Sequence, residues 1–572
     1  MSSDKKLDVN TDFVKKYKAA LAAGLSKEQL AGFMGVKPDT ILNRRKVIAD
    51  TMGFVLPYLK GSPKKSEADL MKVFSAELAE LNKNENKDLH DASENEGDEW
   101  SKHDVYLITS AQNCTPVHEK FLLACETYCK INKARLLVIP YRYKNPTSIF
   151  QDSENEWWDN RIVPYLMEDR VKIFKHLQIL GHIKKQPTAI QPLYGLDGET
   201  GLDSAVMGHP KIQLKAVATP SQALPKILTS SGAITVPNYT DSGAGWRGYD
   251  HHSFGAVVVE LDRENEIFHL RHIHGDKETG SFYDLDRYYT PKTSSDSPRI
   301  PALITGDSHA LFMDPDVEKA TYTAHDSIVN ILKPENLVLH DVMDGYSISH
   351  HHKNNDVVRQ GKHRYGMNNV EKELQITADF IDRISLDHMM TYIVKSNHDE
   401  HFDKWLQECD YKNDLENAQF FHYMKYNQSK WLTPKEGSKP GFKTIDPFEF
   451  WCNHPDTQRG LQKKERVKVL KRDESLVLKS IELGFHGDKG TGGSRGSLKQ
   501  FSKVGPKVVI GHSHTPGIYE GAYQVGVSSY MDLEYKTGCD SWLQTHCVVY
   551  PDGKRTLINV IRGKWRLKEV RW

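Results

Sequence analysis

Apolar and polar positions follow two different rhythms along this chain. Between residues 12 and 60 the apolar positions recur at helical spacing, first Phe13, Tyr17, Leu21 and Leu25, then Leu30, Phe33, Met34 and Val36, which predicts helices. Ser26 followed by Gln29 has the form of a capping box. Gly35 falls where a turn would separate that helix from a second one, capped by Asp39 or Thr40. Residues 66–83 again place Leu70, Val73, Phe74, Leu78 and Leu81 on one helical face. Residues 82–99 then lose almost all apolar character and predict a polar, largely acidic linker.

From residue 105 onward the rhythm becomes short apolar runs with polar tips. Val105-Tyr-Leu-Ile-Thr-Ser110, a helical stretch with Phe121, Leu122, Ala124, Cys125 and Cys129, and Leu136-Leu-Val-Ile-Pro140 give a β-α-β order. That order predicts a parallel, Rossmann-like start. Further strands are expected at 233–236 and 255–261, in a mixed sheet reaching about residue 300. Gln112, Asn113 and Thr115 at the first tip cap a helix or meet a ligand. Neither a G-x-G-x-x-G nor a P-loop accompanies them.

Beyond residue 300 five apolar runs end in Asp, His or Asn. Ala302-Leu-Ile-Thr-Gly306 leads into Asp307-Ser-His309, and Asn336-Leu-Val-Leu339 into His340-Asp-Val-Met-Asp344. Tyr392, Ile393 and Val394 lead into Ser396-Asn-His-Asp399, Leu483-Gly-Phe485 into His486-Gly-Asp488, and Lys507-Val-Val-Ile-Gly511 into His512-Ser-His514. Ligands in open α/β sheets collect beyond the carboxyl ends of strands, so these tips predict one cleft with metal- and proton-handling side chains.

Composition narrows the setting. At 572 residues the chain has room for several domains. Its 76 Lys and Arg balance its 76 Asp and Glu, so a polyanion has only local patches to bind, and zero net charge favours assembly into a homo-oligomer over strong solo binding to DNA. Seven Cys without a C-x-x-C pair argue against a disulfide framework. No apolar run is long enough to span a membrane and the first residues lack a signal-like apolar stretch, which predicts a soluble, cytoplasmic protein.

The ordered set of tips resembles the calcineurin-like metallophosphoesterase family, whose pattern is D-x-H, G-D-x-x-D, G-N-H-D/E, a lone H and G-H-x-H. His340 and Ser396 stand here where that pattern has Gly. The resemblance implies two divalent ions, manganese first, with iron or zinc as other fits to a mixed ligand set. By this likeness Asp307, His309 and His514 would hold one ion, Asn397, His486 and His512 the other, and Asp341 would bridge them. His398 would protonate the leaving oxygen, with Asp399 fixing its tautomer and Asp344 structural. His352, Lys489 and Arg495 are expected to touch substrate phosphate, the last two from a glycine-rich loop.

The expected architecture is α/β. A helix-turn-helix-like head spans residues 1–62, a helix and linker 63–103, and an α/β Rossmann-like domain 104–299. A metallophosphoesterase β-sandwich flanked by helices spans 300–572, interrupted by an insertion at 403–480. In the head, Asn43, Arg44, Arg45 and Lys46 fit DNA contact, and the same pattern fits a helical docking module. The insertion interleaves aromatics such as Trp405, Phe420, Phe421, Tyr426, Trp431 and Trp451 with Lys425, Lys430, Lys435 and Lys439, as a strand-tracking groove does and as a helical cap also does. The layout also resembles that of pre-early DNA-transfer proteins of T5-type bacteriophages, which implies host-DNA degradation in the host cytoplasm. A metal-dependent phosphodiesterase acting on DNA, a deoxyribonuclease, is therefore expected. A phosphatase or small-phosphodiester hydrolase, and a DNA-binding regulator built on a phosphoesterase platform, are the alternatives.

Overall fold

The computed structural model describes residues 13–43 apart from 15, 22 and 24, residue 59, and residues 102–567 apart from 144–156, 221–222, 436–440, 534–535 and 537. The chain divides into two compact units, Met1–Lys102 and His103–Trp572. In the first, the Ser26 hydroxyl accepts from the Gln29 amide at 3.3 Å, and Gln29 Oε1 accepts from the Ser26 amide at 2.9 Å. This reciprocal pair satisfies two otherwise orphaned donors and starts helix Lys27–Phe33. Gly35 turns the chain with φ of +62°, a conformation glycine adopts without steric cost, and residues 38–43 are helical again. Phe13, Tyr17, Ala20, Leu25, Leu30 and Ile41 form the core of this unit. The expected helix 66–83 and linker 82–99 lie outside the described residues.

The second unit is a mixed α/β body with several sheets. Strands Val105–Gln112 and Arg135–Tyr141 pair in parallel around helix Glu119–Asn132, and Gly255–Asp262 with Ile267–His274 continue the sheet antiparallel. Residues 233–236, expected as a strand, instead make isolated bridges from Thr235 to Val117 and from Ala233 to Phe254. The reason is that they tie strand ends together: the Ile234 amide donates to Ser110 O, and Thr235 Oγ1 accepts from the Gln112 amide.

The boundary expected at 299/300 does not separate the sheets. One ten-stranded sheet takes five strands from before it, Arg170–Phe174 to Lys226–Ser230, and five from after it, Val477–Leu478 to Ala522–Gln524. The seam is an antiparallel pairing of Gly517 with Lys215 and Ile518 with Leu214. Backbone hydrogen bonds thus join the two segments in one body.

A six-stranded sheet positions the site. Four neighbouring strands, Ala302–Ile304, Asn336–His340, Met390–Val394 and Val467–Val469, run parallel, so their carboxyl ends share one edge. Leu303, Leu337, Leu339, Ile393, Val548 and Ile558 join the main core. Helix Val370–Ile384 packs into it through Val370, Leu374, Ala378 and Ile381, a three-to-four-residue spacing on one face. The insertion at 403–480 fills the same core. Trp405, Phe420, Phe421, Phe448 and Trp451 are buried there, so these rings are unavailable for stacking on bases, whereas Tyr426, Trp431 and Phe442 are exposed. Among the described residues, no helix is long and apolar enough to cross a membrane.

Candidate metal centre

Backbone pairing beyond the strand ends draws the polar tips together. The amides of Ser308, His309 and Ala310 donate to His340 O, Asp341 O and Val342 O, and the Gly511 amide donates to His486 O at 2.7 Å. These bonds hold His309, Asp341, His512 and His514 at φ of 46°, 43°, 78° and 57°. Left-handed backbone at non-glycine residues is costly and persists where surrounding structure overdetermines it, commonly at functional sites. Gly511 is required sterically, since a Cβ there would lie 2.3 Å from Asp307 Oδ1.

Three groups of potential ligand atoms result among the described residues: His309, Asp344 and His398 form one, and Asp341 belongs to the other two. Of these two, one joins His309, Asp341 and His514; the other joins Asp341, His486 and His512. His309 Nε2 and His514 Nε2 are 3.1 Å apart, and His514 Nε2 lies 3.3 Å from Asp307 Oδ2. In the second cluster His486 Nε2 is 3.1 Å from Asp341 Oδ2, and Asn397 Oδ1 is 3.1 Å from both His486 Nε2 and His512 Nδ1. All seven residues assigned from the strand tips are therefore brought together.

Electrostatics explains what this arrangement favours. Asp307 and Asp341 are 0% and 1% exposed; Oδ2 of each faces only an imidazole, His514 or His486, and Oδ1 of each is buried without a hydrogen bond. Buried carboxylates are costly unless paired or coordinated to a cation. Burial opposes ionisation of Asp341, yet the neighbouring His486 and His398 hold its carboxyl well below the usual range. Burial likewise opposes protonation of His486, but Asp341 raises it to about 9; His309 reaches about 9 against the same opposition, through Asp344. Protons on these rings thus balance the carboxylates. Orphaned carboxylate oxygens among imidazole nitrogens form a donor set that fits divalent ions of intermediate hardness.

No protein-family model matches the chain, nor does a solved structure. Protein A1 of Escherichia phage T5 is 32% identical to it over 475 residues, covering 80% of this chain and 82% of the phage protein. The chain belongs to the protein A1 family.

Beside the clusters, this A1-family chain presents His398. Its Nδ1 lies 2.6 Å from the main-chain oxygen of Asp344 and 3.9 Å from that residue's carboxylate. A carbonyl can only accept, so Nδ1 carries a proton and the neutral ring keeps its lone pair on Nε2. The partner expected from sequence was Asp399, and the structure corrects this. Asp399 Oδ2 turns back to accept from the Ser396 amide and hydroxyl, both at 3.0 Å, because a carboxylate that follows its histidine directly closes the local turn instead of reaching the ring. Burial, then Asp341, raises Asp399 to about 6. Asp344 also lies 3.6 Å from His309 Nδ1, so one residue supports both imidazoles.

His401 escaped the sequence reading. Its ring is 5.1 Å from His398 and 5.2 Å from His350, and its only sequence signal is the i,i+3 spacing from His398 on one helical turn. His340, in place of glycine, is fully buried with Nδ1 3.5 Å from His486 Nδ1.

The outer assignments fare differently. His352 meets Tyr346 edge-on, with centroids 5.2 Å apart, in the short helix His350–His352. Lys489 is spent on Glu400, 3.1 Å from each carboxylate oxygen, while Arg495 is exposed and its backbone bridges that of Lys489. Of the seven Lys and Arg between residues 459 and 472, three are held in ion pairs, Arg459 with Glu371, Lys468 with Glu474 and Arg472 with Asp488. Asn43 is exposed in the A1-family chain's first unit; Arg44, Arg45 and Lys46 lie outside the described residues.

Proposed function

We propose that this protein is a two-metal phosphodiesterase of the calcineurin-like type that acts on DNA. The observation that carries this reading is the pair of ligand clusters sharing Asp341, with His398 beside them. Asp307, His309 and His514 would hold one ion, Asn397, His486 and His512 the other, and Asp341 both. When bound, manganese, iron or zinc supplies charge neutralisation for the phosphoryl oxygens and an activated water nucleophile.

The chain's own groups do the rest. Asp344 fixes the His398 ring through Nδ1, leaving Nε2 to take up a second proton and donate it to the departing oxygen. An imidazole suits this task because its ordinary pKa lies near neutrality. The buried Ser396 hydroxyl, donating to the Asp399 carboxylate at 3.0 Å, fixes the turn that carries Asn397 and His398.

DNA is favoured as substrate by two features. The capped helix and the helical residues 38–43 around Gly35 fit a helix-turn-helix, and exposed Tyr426, Trp431 and Phe442 stand among Lys425, Lys430 and Lys443, which suits a nucleic-acid strand. Kinship with a phage protein agrees with degradation of host DNA in the host cytoplasm. The test compares supercoiled plasmid with a small chromogenic phosphodiester, each with manganese. Plasmid degradation at the faster specific rate supports the proposal; turnover of the small ester alone makes this a small-phosphodiester hydrolase.

A further inference from the structure

A cavity of about 320 Å³ lies where residues 211–274 meet residues 507–555. That volume is at the lower end of the range for small-molecule sites. Its wall carries four cations, Lys211, Lys507, Lys554 and Arg555, against two carboxylates, Asp250 and Glu520. Glu520 is already engaged, 3.2 Å from the Lys211 ammonium and 3.9 Å from His251 Nε2.

Arg555 is the informative residue. It is 5% exposed, and among the described residues the charges acting on it come from Tyr523 and Cys547, with no carboxylate among them. Its Nη1 donates to Val508 O at 2.8 Å and Gly521 O at 3.0 Å, and its guanidinium lies over the Tyr523 ring at 4.1 Å. Arginine cannot shed its charge, so burial without a counter-ion is costly. Lys554 donates to His274 O at 3.2 Å and reaches Asp552 only at 3.7 Å. Burial pushes the ammonium groups of Lys211, Lys507 and Lys554 down, and the Arg555 charge pushes Lys507 further. Glu520 and Asp552 thus face Lys211 and Lys554, with Asp276 also acting on Lys554, while Lys507 and Arg555 have no carboxylate within ion-pair distance among the described residues.

We propose that this cavity binds a small phosphorylated anion, gripped by Arg555, Lys507 and Lys554. A guanidinium fork matches two phosphate oxygens at once, and the lysines add point charges. Ile212, Ile518 and the edge of Tyr523 offer an apolar wall for an attached group such as a nucleoside. The cavity is distinct from the metal centre. Lys507 opens the strand Lys507–Ile510, about 10 Å long at an extended rise per residue, and His512 follows its far end.

The test is titration calorimetry on the full chain with inorganic phosphate, dAMP and deoxyadenosine. We expect phosphate or dAMP to bind, and the two arms tell bare phosphate from a nucleotide as ligand. Lys507→Ala and Lys554→Gln should each weaken binding about tenfold, the loss expected for one charged hydrogen bond. Asp307→Asn, in the metal centre, should leave this binding intact. Arg555 is kept because its bonds join two strands; circular dichroism confirms that the lysine variants fold. The proposal is overturned if neither anion binds, if deoxyadenosine binds as tightly as dAMP, or if the loss follows Asp307→Asn and not the lysines.

Discussion

Asp341→Asn tests the sharing of one carboxylate between two clusters. Asparagine keeps the shape of the side chain and tolerates the φ of 43° found there, so fold disruption is not the expected effect. With free metal a hundredfold above Kd, each occupied site stabilises the protein by about 2.7 kcal/mol. At about 2.1 cal/mol/K per residue, a unit as long as His103–Trp572 has an unfolding entropy near 1 kcal/mol/K. Two sites should therefore raise Tm by about 5 °C in wild type. Without metal, the variant loses the attraction between Asp341 and His486 at 3.1 Å, about 5 kcal/mol gross at an effective dielectric of about 20, largely offset by no longer desolvating the charge. Scanning calorimetry with and without manganese, beside metal analysis, should show the metal-dependent shift falling below about 1 °C and content below one ion per chain. An Asp341→Asn protein that still holds two ions and shows the full shift would refute the shared-ligand geometry.

Gly511→Ala should be more damaging than its size suggests, because the new methyl would meet Asp307 Oδ1 at 2.3 Å. The expected result is a stability loss of about 1–3 kcal/mol in denaturant titration together with loss of metal retention; unchanged metal content would contradict it. Acid should weaken the fold through His209, His252 and His272, which burial holds at about 4. Each folded value lies below the ordinary 6.5, so the contribution is full above about pH 6.5 and is lost as pH falls toward 4, roughly 3 kcal/mol apiece. In metal-free protein His309 and His486, raised to about 9, act oppositely and lose their contribution as pH rises from 6.5 to 9. A stability curve flat between pH 6.5 and 4.5 would refute the buried neutral histidines.

The candidate metal centre was legible because its information is local. Each ligand follows a short apolar run, and a parallel sheet converts that one-dimensional pattern into a shared edge. The β-α-β start and the Ser26 capping box were readable for the same reason. Pairing between distant strands has no such signature: nothing in Leu214–Val217 or Gly517–Tyr519 announces that they meet, so the segments on either side of residue 300 looked separable. The aromatics of 403–480 have the composition of a binding groove, but composition does not say which face is buried, and Trp405, Phe420 and Trp451 went to the core. Asp344 over Asp399 as the support for His398 is a matter of side-chain direction, which sequence adjacency misrepresents.

Cleavage of plasmid DNA by metal-loaded wild type and by His398→Ala, with ion content measured on the same samples, bears most directly on the proposed activity. The account predicts manganese-dependent degradation by wild type and a loss of about 10²–10⁴-fold in the variant, with both ions retained. Wild type that carries its ions yet leaves DNA intact, or a variant that degrades DNA at the wild-type rate, would contradict it.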